Sequence, residues 1–550
     1  MPDESTARPQ GFTRPPEPRA LGNPARGQDI AGGELRLPGG SLSGDPFAQK
    51  PPSAAYADEL HGFRWLDDLA AVNTPAARSL AQRRVLDWIE DHPTPAEGRE
   101  WRPAITGRRV LRWVFHGGMI LTGLDSDARA PFFAALHEQL AHLATHWSEA
   151  PSGPARIEAL AGLFIAATAL NGAQARIAPA LSDLAVQAGQ TLAQGTVPSR
   201  NPEELLDTFS LLVWVSEATR SAGLDLPDAL ASAIDRTAPV LRALRHADGM
   251  LPRFHGGGRG VAGRLDHALR AARGPAVAEP GLAMGYARMA RSRTTLVIDA
   301  AAPPSGDGAR TAHASTLGFE LTVARHPLVV SCGSGRLFGP GWARASRATP
   351  CHSTLCVTGL SSSRLERGAK GAGGDRLTDL PTHVWAGEAD ADGNLFAPDT
   401  GPAHAGSPAH LLAGHNGWQS SHGLTHLREL WLDPDGASLR GEDSLAALSD
   451  PDQARLAEAT GASALPFTIR FHLHPDIQPE IVDDWVALDL PGGELWQFAH
   501  DGLADLSLEP SAWLDSADIQ PVATHQIVLS AALSGPAMQI GWTFGRARFS

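Results

Sequence analysis

Residues 199–218, SRNPEELLDTFSLLVWVSEA, predict a helix with a strong start signal. Asn201 precedes Pro202 and Glu203, which is the usual order of a capping side chain, a first-turn proline and an acidic first turn. Apolar residues then recur at the spacing of one helix face. The stretch therefore predicts a buried helix, and the same pattern can be sought in the sequence on either side of it.

Helical spacing of apolar residues extends from about residue 59 to residue 273. Seven further segments share it: 59–72, 76–89, 108–121, 131–147, 155–170, 173–193 and 227–244. Short loops between helices of similar length favour antiparallel pairs. We therefore expect an all-α region in which helix hairpins form a ring or a layered stack.

The pattern changes after about residue 274 to short β-branched and aromatic runs separated by Gly, Pro, Asp and Ser. The sequence DPDG at 433–436 is a clear hairpin turn. Many short strands without intervening helices predict an antiparallel sandwich or barrel. The predicted division is a Pro- and Arg-rich disordered tail over 1–26, a helical domain over 27–275 and a β domain over 276–550.

The composition is that of a folded globular protein, with 43% hydrophobic and 19% charged residues. A net charge of −14 excludes nucleic-acid binding that depends on a basic field. Three cysteines are too few for a disulfide framework. No stretch approaches the roughly 20 apolar residues of a membrane helix, and residues 1–20 lack the apolar core of a signal peptide. We expect no membrane span and a cytoplasmic location.

The densest polar cluster lies at the start of the β region. His313 and His352 each precede a predicted strand, and Cys332 lies at a strand end between them. Neighbouring strands can bring these residues together, and His and Cys are zinc ligands. The alternative is that each histidine bonds nearby backbone and the cysteines are buried, since the spacing matches no fixed metal signature.

Two segments are candidates for binding an anionic ligand. In RFHLHP, Arg470, His472 and His474 share one face of a predicted strand; the alternative is a polar sheet face packed on the helical domain. The glycine-rich segment 246–259, which contains Arg253, can expose backbone amides to an anion. Its alternative is a flexible interdomain loop, because the Lys-Ser/Thr end of a P-loop is missing.

The order of these motifs resembles that of the heparinase II/III family, specifically the alphaproteobacterial heparinase II/III-like proteins. The matching segments are 51–63 (PPSAAYADELHGF), 85–88 (VLDW), 199–202 (SRNP), 241–249, 313–321, 348–355, 439–443 (LRGED), 470–475 and 525–529 (HQIVL). The resemblance runs from about residue 30 to the C-terminus. It implies an α+β multidomain protein with an N-terminal (α/α) toroid followed by a C-terminal antiparallel β-sandwich.

The resemblance also implies an activity. Characterised relatives are polysaccharide lyases that cleave uronate-containing chains by β-elimination in the cleft between the two domains. They neutralise the C5 carboxylate with Asn or His and transfer protons with a Tyr/His pair. Some bind a structural Zn²⁺. An acidic polysaccharide is thus the implied partner, and the periplasm is the alternative location.

Several family positions carry other residues in this chain. Val197 stands where the neutralising His is expected, and Ser331, beside Cys332, where an Asp ligand is expected. His313 and His352 match, so His313, His352 and Cys332 are the implied zinc ligands.

The catalytic Tyr has no match near the end of the helical region, because Tyr56 and Tyr286 are the only tyrosines. His255 lies near that point, and it is our candidate base. Asn201 or Arg200 would then hold the substrate carboxylate, and His313 completes the candidate catalytic set.

Two functions follow from these matches and losses. The first is a lyase-like enzyme that cleaves an acidic glycan by β-elimination. The second is a catalytically degenerate protein that binds glycan or associates with the cell envelope, and the missing Tyr favours it. A hydrolase is a third class, but no pair of carboxylates has a spacing that predicts one.

Overall fold

The computed structural model describes residues 11–13, 17–272, 281–368, 375–389, 395–396, 408–461, 463–516, 518 and 520–547. Within them the chain is helical in its first half and forms antiparallel sheets in its second half. No helix of this part of the chain has the length and apolar content needed to cross a membrane.

The helices of the first half follow the predicted segments. They are α1 (Pro24–Ala31), α2 (Ala54–Gly62), α3 (Trp65–Val72), α4 (Pro75–Asp91), α5 (Pro103–Phe115), α6 (Gly117–Ile120), α7 (Ser126–His146), α8 (Pro154–Ala169), α9 (Ile177–Thr191), α10 (Pro202–Ser221), α11 (Asp228–Ala243) and α12 (Arg264–Arg270). The segment predicted over 59–72 is two helices, because Phe63 adopts a left-handed conformation with φ 58° and ends α2. Asn201 caps α10 as predicted.

Helices α5 and α8 pack so closely that their backbones touch. A Cβ placed on Gly162 of α8 would lie 2.3 Å from the carbonyl oxygen of Gly107 of α5, and one on Gly107 would lie 2.5 Å from Ala159 Cα. Glycine at both positions removes the side chain that would hold the helices apart. Helix α8 also packs on α9 and α10, so this contact lies at the centre of the helical region.

A disordered tail was expected over 1–26, but the described residues of this segment contact the helical region. The Thr13 amide donates to the Ala169 carbonyl at 2.8 Å, and the Phe12 ring lies edge-on to Phe133 at 5.3 Å. Asn23 caps α1 with its side chain. Burial of the Phe12 ring against α6 and α7 explains the order of this segment. Residues 1–10 and 14–16 lie outside the described residues.

The strands form a small hairpin, two large sheets and a further two-stranded pair. The strands are β1 (Glu34–Leu37), β2 (Gly40–Ser43), β3 (Tyr286–Arg291), β4 (Thr294–Asp299), β5 (Phe319–Val323), β6 (His326–Val330), β7 (Leu355–Val357), β8 (Arg364–Glu366), β9 (Arg376–Thr378), β10 (Val384–Ala389), β11 (Leu395–Phe396), β12 (Ala409–Trp418), β13 (Leu424–Leu432), β14 (Ser438–Ala446), β15 (Leu465–Leu473), β16 (Gln478–Val482), β17 (Trp485–Asp489), β18 (Leu495–His500), β19 (Asp505–Trp513), β20 (Val522–Leu533) and β21 (Ala537–Arg546). Three short helices intervene: α13 (Pro340–Ala345), α14 (Gln419–His422) and α15 (Asp450–Thr460).

The two large sheets share one apolar core. The nine-stranded sheet has the order β11-β10-β12-β13-β14-β21-β18-β17-β16. The eight-stranded sheet has the order β19-β20-β15-β6-β5-β4-β3, with β7 paired to β15. Phe319 of the second sheet stacks on Trp542 of the first, with ring centroids 5.7 Å apart. The predicted antiparallel β region is therefore confirmed.

A buried ion pair connects the two sheets. The Asp443 carboxylate of β14 accepts from Arg428 Nε of β13 at 2.8 Å and from Trp542 Nε1 of β21 at 2.8 Å. Arg428 also donates to the carbonyls of Leu317 (2.7 Å) and Ser353 (2.9 Å), which precede β5 and β7. Asp443 therefore holds Arg428 from a strand interior, and Arg428 makes the connection to the second sheet.

The contact between α5 and α8 predicts that Gly162→Ala destabilises the protein. The added methyl group has to push against the α5 backbone, and overpacking of this kind costs about 1–3 kcal/mol. The unfolding free energy from urea denaturation measures the effect. Gly118→Ala is the matched control, because a Cβ there has no atom within 4 Å, so its stability should stay equal or rise. Equal stability of both variants would contradict the prediction.

Candidate functional site

The loop before α10 meets the start of the β region, and Arg200 is the main contact there. Its guanidinium donates to the carbonyls of Met284 (3.0 Å), Gly285 (2.9 Å) and Ala302 (2.7 Å) and pairs with the Asp299 carboxylate. Burial alone would lower the pKa of Arg200, but Asp299 raises it above its ordinary value. Arg200 thus binds the two regions together, and its donors are engaged within the protein.

Asp299 is the centre of a buried polar cluster at this junction. Besides Arg200, it accepts from Ser315 Oγ at 2.7 Å, and its Oδ2 lies 3.4 Å from His255 Nε2. Burial would raise the pKa of Asp299, but Arg200 and then His255 hold it well below its usual range. We refer to Arg200, Asp299, His255 and Ser315 as the junction cluster.

His255 is oriented as a base would be but is closed to solvent. Its Nδ1 accepts from the His313 amide at 3.2 Å, and its Nε2 faces Asp299. Burial lowers the pKa of His255, with Asp299 opposing the shift. The side chain has 0% exposure. The structure therefore places this imidazole inside the junction, not at the surface of a cleft.

Neither tyrosine is available for proton transfer. Tyr286 donates its hydroxyl to the Arg200 carbonyl at 2.5 Å, and Tyr56 donates to the Leu35 carbonyl at 3.0 Å inside the helical region. Burial raises the pKa of both phenols above the ordinary value.

The other helical-region candidate, Asn201, uses its side-chain oxygen to cap α10, accepting from the amides of Glu203 (2.9 Å) and Glu204 (3.2 Å). That oxygen is thus engaged by the first turn of α10.

The three implied zinc ligands come near one another but do not form a metal site. The rings of His313 and His352 lie 5.3 Å apart, and His352 Nδ1 is 3.2 Å from Ser331 Oγ, at the position where the family has an Asp. Cys332 Sγ instead faces His472 Nδ1 at 3.6 Å. Among the described residues, no group of three or more His, Cys, Asp or Glu side chains is arranged to hold a metal ion. Two imidazoles do not supply the four ligands of structural zinc.

The basic face predicted on β15 is not open. Arg470 pairs with Glu509 at 3.1 Å, and His472 is buried under Ser511, with Nδ1 and Oγ 2.8 Å apart. Both partners lie on β19, which belongs to the same sheet and is separated from β15 by β20. His474 follows the end of β15 and packs edge-on against Trp513 at 4.4 Å. The three side chains thus have partners within the protein, and binding of an anionic ligand by this face stays a prediction.

Arg253 is likewise buried. Its guanidinium carbon lies 3.5 Å from the centre of the Trp513 ring, and its Nε is 3.5 Å from Glu320. It also donates to the Ser331 carbonyl. These contacts make Arg253 a second connection between the glycine-rich segment and the sheet, and anion binding by this segment stays a prediction.

A cavity of about 1060 Å³ in the helical region was not among the predicted sites. It lies at the beginnings of α2, α5 and α8 and reaches Arg336 of the β region. Its lining carries acidic, basic and aromatic side chains: Asp58, Glu59, Glu97, Glu149, Arg102, Arg108, Arg336, Trp101, His142 and His146. Carboxylates outnumber arginines, and Arg108 is already paired with Glu59 at 2.7 Å. The spacing of His142 and His146 on one face of α7 is the signal that could have indicated it.

The helical region, the two large sheets and the polar junction between them define a protein with the fold of polysaccharide lyases. Heparinase III matches with a TM-score of 0.65 at 11% identity, covering 91% of this chain and 79% of that one. A mutant of the heparan sulfate lyase HepC from Pedobacter heparinus matches with a TM-score of 0.57 at 14% identity, covering 100% and 86%. At these identities the likeness concerns the fold alone.

Sequence comparison gives the family. Residues 273–543 match the family described as heparinase II/III-like, C-terminal. FtsZ-localized protein C of Caulobacter vibrioides (strain NA1000 / CB15N) is 33% identical over 523 residues, which cover 92% of this chain and 86% of that protein. This chain belongs to the heparinase II/III-like family.

The junction cluster predicts a large stability loss on Arg200→Ala. The change leaves the buried Asp299 charge without its main partner, which typically costs about 3–5 kcal/mol. Urea denaturation of purified protein checks it. Arg325→Ala is the control, because Arg325 is exposed and should change stability by less than about 0.5 kcal/mol. Equal effects of the two substitutions would contradict the role of the cluster.

Proposed function

We propose that this chain is a catalytically degenerate member of its family that acts by binding, in association with the FtsZ assembly of a dividing bacterium. The observation that carries the proposal is the closure of the junction. His255, His313 and His352 are 0–2% exposed, and β-elimination needs a base within hydrogen-bond reach of the substrate proton. A polysaccharide has no access to these imidazoles.

The other positions expected to take part in β-elimination either carry a different residue or have side chains bonded within the protein. Val197, at the position of the neutralising His, is 2% exposed and apolar. The guanidinium of Arg200 donates its hydrogen bonds to Asp299 and to main-chain carbonyls. Tyr286 donates to the Arg200 carbonyl. Val197, Arg200 and Tyr286 therefore support the fold in place of neutralising a uronate or transferring a proton.

The association with FtsZ is supported by the relative that carries FtsZ in its name and is 33% identical over 92% of this chain. Similarity over nearly the full length favours a shared role for both halves of the molecule. We propose a cytoplasmic location for this association. The periplasmic location implied by the lyases is the alternative.

Glycan binding without cleavage is a second candidate function. The cavity of about 1060 Å³ is large enough for an oligosaccharide, and Trp101, Arg102 and Arg336 line it. We propose that the helices around it form the (α/α) toroid of the family. The serial packing of α5 on α8 and of α8 on α10 supports this arrangement.

A paired assay tests the proposed function. Purified protein should produce no ultraviolet-absorbing unsaturated uronate ends from heparin, heparan sulfate, chondroitin, hyaluronan or alginate, and an active heparinase III serves as the positive control. In the same preparation the chain should sediment with FtsZ polymers and stay in the supernatant without them. A product that disappears in His255→Ala would overturn the proposal in favour of a lyase. If a glycan binds in titrations but no unsaturated product forms and the chain does not sediment with FtsZ, the glycan-binding candidate is favoured.

Zinc has no part in the proposed function, and this is also testable. Because no third or fourth protein ligand accompanies His313 and His352 among the residues that the structure describes, native mass spectrometry should find less than one zinc per chain. Chelation should leave the melting temperature unchanged. One zinc per chain in wild type that is lost in His352→Ala would contradict this, and His525→Ala, at an exposed histidine, is the control.

A further inference from the structure

Three of the charged side chains that line the cavity of the helical region are already paired. Arg108 donates to both oxygens of the Glu158 carboxylate at 2.8 Å and pairs with Glu59 at 2.7 Å. Asp58 pairs with Arg99 at 2.7 Å. The charges of Asp58, Glu59 and Arg108 are therefore satisfied within the protein.

The other charged side chains of the lining are two glutamates and two arginines. They are Glu97, Glu149, Arg102 and Arg336. All four are exposed, and none makes a side-chain hydrogen bond or an ion pair within the described part of the chain. The cavity thus presents two negative and two positive charges that a ligand can reach.

Both halves of the chain contribute to the positive side of the cavity. Arg102 directly precedes α5, whereas Arg336 belongs to the β region. The Arg336 backbone is held in place, because its carbonyl accepts from the Gly39 amide at 2.7 Å. Helices α5 and α8 begin at the cavity without a side-chain cap, so the positive ends of both helices add to the potential of the arginines.

The aromatic side chains of the lining offer little surface to a sugar ring. Trp101 is 4% exposed, and the Arg109 guanidinium lies over its ring at 5.2 Å. His142 and His146 stack on each other with centroids 4.4 Å apart. A purely anionic glycan would also meet the two open glutamates, and like charges brought together at an interface weaken binding. The lining therefore favours a ligand that carries both signs of charge and needs no aromatic platform.

We propose that this cavity is the docking site for a peptide segment of the FtsZ assembly that carries both acidic and basic side chains. Arg102 and Arg336 pair with its carboxylates. Glu97 and Glu149 pair with its basic groups. Opposite charges at several fixed points select a partner and set its register. The volume of about 1060 Å³ lies at the upper end of the range for small-ligand pockets, so a segment of several residues fits.

This inference rests on the proposed association with FtsZ and deepens it, because it names the surface of this chain that holds the partner. The two signs of charge can be tested separately in the sedimentation assay with purified FtsZ polymers. The double variant Arg102→Glu with Arg336→Glu should bind at least about tenfold more weakly, because two attractions become repulsions. The double variant Glu97→Arg with Glu149→Arg should also bind more weakly. Unaltered melting temperatures establish that the variants are folded.

The matched control is a double reversal outside the cavity, Arg293→Glu with Arg325→Glu. Both arginines are exposed, and the change in net charge equals that of the arginine variant in the cavity, so this control should bind as the wild type does. Stronger binding after reversal of the two glutamates would indicate a purely anionic ligand and would overturn the inference.

The failure of the inference can be told apart from the failure of the proposed function. If the wild type and both cavity variants sediment equally with FtsZ, the association stands and the cavity is not its site. If the wild type stays in the supernatant, the proposed function is wrong and this inference is wrong with it.

Hydrogen exchange locates the contact directly. On addition of FtsZ polymers, peptides that cover residues 96–104 and 146–155 should exchange more slowly, since the bound segment shields and stabilises them. A peptide that covers residues 505–513 should not change. Protection confined to residues outside the cavity would overturn the inference. A heparin oligosaccharide that binds the wild type but not the arginine double variant would also overturn it, by assigning the cavity to a glycan.

Discussion

The buried charge of Asp299 is the constraint on which the junction of this protein depends. A carboxylate removed from water has to be stabilised by several donors in good geometry, and Arg200 and Ser315 supply them, with His255 Nε2 3.4 Å away. Because Arg200 also binds four main-chain carbonyls of the β region, satisfying Asp299 fixes the helical region against the sheets. The residues nearest to the expected catalytic centre are thus committed to holding the two regions together.

This commitment is the physical basis of our proposal that the chain keeps a lyase fold without lyase chemistry. An elimination site needs ionisable groups that are positioned and accessible together. In this chain the ionisable groups are held in place by contacts that also bury them. The hydroxyl of Tyr286, which donates to the Arg200 carbonyl, is one example. The cavity that remains open lies among the helix starts and carries both charge signs. The mixed charge of its lining differs from the uniformly basic surface that would favour binding of a highly sulfated chain.

Local chemistry made much of the fold predictable. The start of α10 was predictable from Asn201, Pro202 and Glu203, and the strands were predictable from β-branched runs. Both signals depend on only a few neighbouring residues. The site was less predictable. Alternation along β15 placed Arg470 and His472 on one face, but their partners Glu509 and Ser511 lie on β19, which follows more than thirty residues later. The family resemblance predicted that His313 and His352 lie close together. The partners of Arg200 became evident only from the packed structure.

The position of β21 has a consequence for how the chain is made. This strand is the nearest to the C-terminus, yet it lies inside the nine-stranded sheet between β14 and β18, and its Trp542 contacts both Asp443 and Phe319. During synthesis the earlier strands therefore emerge without the strand that joins their two halves. Their apolar faces stay uncovered until β21 has been translated. The nine-stranded sheet therefore cannot close strand by strand as it is synthesised, and its exposed faces are open to aggregation until β21 inserts.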